Sequence, residues 1–198
     1  ENAIKTWDKT AITPGTIFMK NLGKMITEHY LNNEKMYGVK KIIVSTSSEP
    51  GEGEHKIFQY IRDYPKHHEK TTTLVYGLDA DLIMLCLNHL PISKHIYLYR
   101  ETPEFIKSIN SDLEPNEAYF LDIPELANVI LQDMNGYKKI DNKQKYNKLY
   151  DYIFLCFFLG NDFLPHFPSV NIRTSGINIL ISAYRNVIGQ KRNLTNGK

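Results

Sequence analysis

The 198-residue sequence carries little excess charge, with 24 Lys and Arg against 22 Asp and Glu and a formal net charge of +2. A basic field over the whole surface, which would by itself mark a nucleic-acid binder, is excluded, so any basic patch must be local. Cysteine is scarce as well. Cys86 and Cys156 each sit inside an apolar run ("LIMLCLNHL" and "IFLCFFLG"), where a thiol behaves as a small buried hydrophobe, and this usage points to a reducing, intracellular compartment. Long hydrophobic runs are missing. The longest, Ile153 to Leu159, falls far short of a bilayer span, and the opening "ENAIKTWDK" has no signal-peptide core, so neither membrane insertion nor secretion is expected. There is no internal repeat. The chain opens on Glu1 rather than methionine, which predicts a segment cut from a longer protein.

What is present is an apolar fraction of 42%, sufficient for the core of one domain of ordinary size. "TPGTIFMKNLGKMITEHYLNN" places Phe18, Leu22, Met25, Ile26 and Tyr30 at helical spacing. "VKKIIVSTS" predicts a short strand, followed by a turn over Pro50 to Gly53 and a helix with Ile57, Tyr60 and Ile61 on one face. The order repeats: Leu74 to Tyr76 reads as a buried strand and Asp81 as the cap of an apolar helix, and "HIYLYRE" supplies a further strand. "EAYFLDIPELANVILQDMN" predicts a strand edge, Asp122 as N-cap, Pro124 in the first turn, and a helix to about Met134. Residues 135–150, rich in lysine and asparagine, predict an exposed insertion or the solvated start of a helix. "YDYIFLCFFLG" is a helix ending at Gly160, Ser175 caps another, and residues 186–198 read as a frayed tail. Alternating strands and helices predict an α/β fold, a mostly parallel central sheet flanked by helices, in a single domain over 1–198.

Acidic residues fall where this reading places strand ends, which is where α/β sheets take their ligands. Glu52 and Glu54 of "EPGEGEHK" follow the first strand, Asp79 and Asp81 of "GLDADL" follow the second, and Asp162 of "GNDFLPH" follows the apolar helix. Residues two apart in an extended stretch project to one side, so each pair is able to aim at one spot. Five carboxylates in one place repel unless cations neutralise them, and oxygen-only ligands suit Mg²⁺ or Mn²⁺. Two such ions about 4 Å apart form the clamp of phosphodiester-cleaving enzymes. Each piece also has a plainer reading: Asp81 as a helix cap, Glu52 and Glu54 as a solvated turn, Asp162 as a cap near Pro165, His55 and His166 as hydrogen-bonding residues. Asp79 fits such a reading least, because an acidic group just past a buried strand is costly without a partner.

The blocks "TPGTIFMKNL", "SSEPGEGEHKIFQYIR", "YGLDADLIMLCLNH", "YLYRE" and "FFLGNDFLPHFPSVNI", in this order, cover most of residues 10 to 185 and resemble the nuclease core of the Xrn-type 5′→3′ exoribonucleases, members of the flap-endonuclease and PIN-like group. The resemblance implies a two-metal hydrolase that releases mononucleotides from single-stranded RNA bearing a 5′-monophosphate, in the cytoplasm or the nucleus. It implies Glu52, Glu54, Asp79, Asp81 and Asp162 as catalytic metal ligands for two Mg²⁺ ions, with Mn²⁺ as substitute, and Lys56 and Arg100 as neighbours of that site. Family members carry further aspartates and a basic 5′-phosphate pocket ahead of the "TPG" block. This chain would then be the central and later part of a core that another segment of the same protein completes, which leaves its activity alone open. The stretch after Asp162, "FPSVNIRTSG", lacks a glycine-rich helix-hairpin-helix, so duplex binding by that device is not expected. Two rival functions remain at this point: a degenerate relative that binds RNA or protein without cutting, and a structure-specific DNA or flap nuclease. Lys138 to Lys148 reads either as a phosphate-contacting patch or as a solvated insertion.

Overall fold

The computed structural model describes residues 7–195 apart from 103 and 105. The chain divides into two compact units, residues 1–60 and 61–198.

In the first unit Thr16 caps helix α1 (Ile17–Tyr30), its hydroxyl accepting from the Met19 N–H at 3.3 Å. The helix forms as its periodicity predicts, yet Met25, Ile26 and Tyr30 of its apolar stripe stay exposed and only Gly23 is buried. A four-residue helix α2 (Glu34–Tyr37) ends at Gly38, whose φ of +64° stops it. The predicted strand at "VKKIIVSTS" does not form: residues 39–47 pair with no other strand. Their polar groups are taken up locally, the Val39 N–H by the Glu34 carbonyl (3.0 Å) and the Ile42 N–H by the Glu34 carboxylate (3.3 Å). Thr46 lies so close to Gly23 that a Cβ there would sit 3.3 Å from it. Strand propensity expresses itself only against a pairing partner, and no other strand occurs among the described residues of this unit. Helix α3 (Gly53–Asp63) carries the chain into the second unit, where a short helix α4 (Pro65–His68) leads to the sheet.

The sheet has the order β1 (Thr73–Tyr76), β2 (Ile96–Glu101), β3 (Ala118–Asp122). β1 and β2 are parallel, joined through helix α5 (Asp81–His89). β3 follows a short helix α6 (Ile106–Ile109) and pairs antiparallel with β2, Leu98 facing Leu121. The α/β class is as expected, and the sheet is small and mixed. Val75, Ile96 and Leu98 point to the helices, whereas Leu74 and Tyr76 are 53% and 59% exposed, so β1 alternates instead of being buried on both faces. Tyr76, Tyr99 and Phe120 stack across the strands at 5.4 and 4.9 Å on the open face.

Helix α7 (Ile123–Met134) starts as predicted, with Asp122 accepting from the Glu125 N–H at 2.9 Å and Pro124 in the first turn. It packs with α5 on β2 and against α8 (Lys145–Phe157). Met134, Leu155, Ile181 and Tyr184 close a core with α9 (Gly176–Ala183). Ser175 sits at the cap position of α9, but with φ +58° its side chain makes no capping bond. Burial pushes the Cys86 thiol up to about 12 and Cys156 up to about 11, so both remain protonated and inert. No helix among the described residues is long and apolar enough to cross a membrane.

The lysine-rich stretch is not uniformly solvated. Lys138, Lys139 and Lys143 are exposed, but Lys148 is 3% exposed and donates from Nζ to the Gly189 carbonyl at 2.7 Å. Beside it the fully buried Asp151 accepts from the Tyr184 hydroxyl (2.6 Å), from the N–H groups of Leu194 (3.0 Å) and Thr195 (2.7 Å), and from the Thr195 hydroxyl (2.8 Å). Part of the predicted frayed tail is thereby docked; residues 196–198 lie outside the described residues.

His89 is buried between two partners. Its Nδ1 lies 2.7 Å from the Leu85 carbonyl and its Nε2 2.8 Å from Arg62 Nη1. An Nδ1–H donated to Leu85 and an Nε2 lone pair facing Arg62 suit the neutral ring. Burial chiefly, and the Arg62 cation, hold its pKa below the usual 6.5, with the Leu85 bond opposing; burial also depresses His68. A depressed histidine binds more protons unfolded, so stability is full above about 6.5 and declines as pH falls toward the folded pKa values, by at most about 1.4 kcal/mol per pH unit per histidine. Urea midpoints are expected to drop between pH 7.5 and 5.5. Equal midpoints would contradict the neutral, buried assignment.

Candidate active site

The predicted site residues occupy three places. Glu52 precedes α3 and Glu54 is its second residue, the Lys56 N–H donating to the Glu52 carbonyl at 3.1 Å. Gly51, at φ +92°, makes the preceding turn, a conformation glycine adopts without strain. Carboxylates at this helix start are favoured by its partial positive charge. Glu52 is exposed, 3.8 Å from His55 Nε2, and Glu54 is half-buried. Lys56 is committed to the backbone, its Nζ donating to the Thr46 carbonyl at 2.8 Å.

Asp79 and Asp81 bracket the exit from β1. Asp81 is the first residue of α5 rather than its cap; Ala80 holds the cap position and makes no side-chain capping bond. The Asp81 N–H faces Asp79 Oδ1 at 3.4 Å, and both carboxylates are exposed. Arg100 reaches across from β2 and donates from Nη2 to the Leu78 carbonyl at 2.8 Å, tying the loop that carries Asp79.

Asp162 lies in the turn after α8. The Asn161 side-chain oxygen accepts from the Phe163 N–H (2.9 Å) and the Leu164 N–H (2.8 Å), and the Phe167 N–H donates to Phe158 O at 2.8 Å to close the loop. Gly160 has φ +86°, and a Cβ there would lie 2.8 Å from the His166 nitrogen. His166 is a hydrogen-bonding residue, as its plainer reading has it, with Nδ1 3.1 Å from the Phe167 carbonyl.

Among the described residues, Asp79, Asp81 and Asp162 form no ion pair with a lysine, arginine or histidine. No three His, Cys, Asp or Glu side chains are grouped to hold a metal ion there. Bare carboxylates repel, and no ion pair among the described residues neutralises these three. Exposed, oxygen-only donors are of the chemistry that a hard divalent cation takes, but the described residues do not bring three of them together.

Sequence reasoning missed two residues. Asn161, following a glycine and preceding a turn, carries the signature of an Asx turn. Asp151 is three residues beyond Lys148 and four before Leu155, which places it on the buried face of α8.

Comparison with known proteins bears on the same segments. Residues 1–102 match the family described as XRN 5'-3' exonuclease N-terminus, and residues 143–198 match the Xrn1 helical domain. The 5'-3' exoribonuclease 2 of Yarrowia lipolytica is 36% identical over 190 residues, covering 91% of this chain and 18% of the relative. That of Arabidopsis thaliana is 34% identical, covering 92% and 21%, and that of Aspergillus fumigatus 35%, covering 93% and 21%. The chain thus spans about a fifth of the length of these relatives. The acidic blocks at Glu52, Glu54, Asp79 and Asp81 fall inside the first matched region and Asp162 inside the second, and with identity sustained over nine-tenths of its length the chain belongs to the Xrn-type 5′→3′ exonuclease family.

Proposed function

We propose that the protein is a divalent-metal-dependent 5′→3′ exoribonuclease and that this chain is the central and later part of its catalytic core. The observation that supports it most is the coincidence of family membership with three exposed aspartates, at the β1 exit and after α8, that have no protein cation among the described residues. Asp79, Asp81 and Asp162, with Glu52 and Glu54, would hold Mg²⁺, or Mn²⁺ in its place, as two ions. The bound cation supplies Lewis-acid stabilisation of charge at the scissile phosphate and an activated water. Arg100 holds the Asp79 loop through the Leu78 carbonyl, and Lys56 holds the Glu52 turn through Thr46.

The substrate is single-stranded RNA with a 5′-monophosphate, consumed to mononucleotides inside the cell, in cytoplasm or nucleus. Another segment of the same protein completes the ligand set and reads the 5′-phosphate. Exposed Lys138, Lys139 and Lys143 add at most a salt-sensitive attraction for phosphates.

The full-length protein is expected to degrade 5′-phosphorylated RNA with Mg²⁺, to act far more slowly on 5′-hydroxyl RNA, and to stop on chelation. Preference for flap DNA would turn the assignment to a structure-specific nuclease. Binding of RNA without degradation would turn it to a non-catalytic relative.

A further inference from the structure

The connection between α7 and α8 is tied down by its backbone, while its larger side chains stand in water. At the end of α7 the Gly136 N–H donates to the Asp133 carbonyl (3.1 Å) and the Tyr137 N–H to the Gln132 carbonyl (2.8 Å), a closure that a left-handed residue after a helix allows. Gly136, at φ +60°, meets that need. Tyr137 follows at φ +59°, a backbone setting that is costly for any residue with a Cβ. Its ring is 76% exposed, so little packing offsets the cost. Beyond it the buried Asn135 side chain donates from Nδ2 to the carbonyls of Lys138 (2.8 Å) and Lys139 (3.3 Å). Tyr137, Lys138, Lys139 and Lys143 are all exposed on this held loop.

Charge is concentrated here as well. Residues 136–145 hold four lysines against the single Asp141, in a chain whose net charge is only +2. Lys145 is spent on Asn128 Oδ1 at 2.8 Å. The acidic neighbours are also engaged: Asp133 pairs with Arg185 at 3.2 Å, and Asp141 Oδ1 accepts from the Lys143 N–H at 3.1 Å. Among the described residues, Lys138, Lys139 and Lys143 form no ion pair. Unpaired lysines and a strained, exposed ring do nothing for the fold, and strain kept at an exposed position points to function. Together they have the chemistry of a single-stranded nucleic-acid contact, ammonium groups for phosphates and a ring face for a base.

We propose that Tyr137, Lys138, Lys139 and Lys143 form a contact site for single-stranded RNA outside the acidic segments: a base stacks on the Tyr137 ring and the lysines take the flanking phosphates. The site takes its ligand from the exoribonuclease reading above and needs no metal ion. The lysines alone supply a salt-sensitive attraction; the ring adds a contact that salt does not weaken. An acidic protein surface would satisfy the lysines but leave the ring without a use, so the nucleic acid is the better fit.

The test is equilibrium binding of a fluorescent, unstructured single-stranded RNA to the full-length protein in chelator, read by anisotropy across a salt series. RNA degradation in Mg²⁺ is measured on the same preparations. Tyr137→Ala is expected to weaken binding about tenfold with an unchanged salt slope, within the range for loss of one base–aromatic stack, and Tyr137→Phe to bind as wild type. Replacing Lys138, Lys139 and Lys143 together by glutamine should reduce the slope of log affinity against log salt by about 2, at ~0.7 per phosphate contact. Tyr137→Gly should weaken binding as alanine does while raising the urea midpoint, because the left-handed strain is relieved; a ring that served the fold would lower it. Wild-type affinity in Tyr137→Ala, with a reduced slope in the lysine variant, leaves a bare polyelectrolyte patch and overturns the site. Competition by polyglutamate as strong as by RNA of equal charge makes it a protein contact and overturns it as well. Wild-type affinity and slope in every variant also overturn it, and Mg²⁺-dependent degradation by those proteins leaves the nuclease reading standing. Wild-type protein that neither binds nor degrades RNA overturns both.

Discussion

Asp151→Ala is expected to cost the fold about 3–5 kcal/mol, a large part of the ~5–15 kcal/mol that holds a typical domain together. The carboxylate is fully buried and accepts from the Tyr184 hydroxyl, the Leu194 and Thr195 N–H groups and the Thr195 hydroxyl. Removing it orphans the buried Tyr184 hydroxyl, at a cost on the order of 1–3 kcal/mol, and the part-buried Leu194 and Thr195 donors, which cost less because water reaches them. Lys148 compounds the loss. Its ammonium is buried 5.6 Å from the Tyr184 ring centroid, with its pKa pulled down by burial and held up by Asp151. Without Asp151 the cation loses the charge that compensates its desolvation. Asp151→Asn keeps an acceptor oxygen and the volume while giving up the charge, so about half the loss is expected. Urea denaturation of the two variants checks the order. A midpoint for Asp151→Ala within error of wild type would show that the network contributes nothing net.

How much of this was legible in the sequence depends on where each structure's cause lies. Helix α7 was readable to its ends, because Asp122, Pro124 and the apolar spacing to Met134 act within a few residues of one another. Both parallel strands were readable as apolar runs between turns. "VKKIIVSTS" was misread for the opposite reason: its β-branched residues are necessary for a strand, but a ladder needs a partner, and here the Glu34 side chain and backbone take the place of one. The same holds for Lys148, whose neighbours in sequence are lysines and asparagines while its partners, Gly189 and Tyr184, are about forty residues away. In the candidate site the place of Asp79 and Asp81 between β1 and α5 was legible, because that strand-turn-helix pattern is local, whereas Glu52 and Glu54 stand at the start of α3 with no strand before them. The Asn161 turn was written in the sequence and overlooked beside the more conspicuous Asp162. The capping assignment for Asp81 was off by one position, a shift that matters, since a cap spends its carboxylate on backbone N–H groups and Asp81 does not.

That shift makes Asp81→Asn the most discriminating substitution for function, and at least a hundredfold loss of RNA degradation by the full-length protein is expected. Asparagine preserves shape and one carbonyl oxygen while removing the charge that a hard cation requires of its ligand. The alternative role for Asp81 is a favourable charge in the first turn of α5, a contribution of about 0.3–1 kcal/mol at an exposed position. The two roles therefore predict different quantities. If Asp81 serves only the helix, the urea midpoint falls slightly and turnover of 5′-phosphorylated RNA stays at the wild-type rate. If it holds the cation, turnover collapses, RNA binding survives, and removing a repelling charge beside Asp79 leaves the apo protein no less stable than the small dipole loss allows. Single-turnover degradation, RNA binding and the urea midpoint measured on one preparation separate these cases. Wild-type turnover by Asp81→Asn would remove the β1 exit from the metal site, because Asp79, 3.4 Å from the Asp81 N–H, would then be a loop-stabilising acceptor rather than half of a ligand pair.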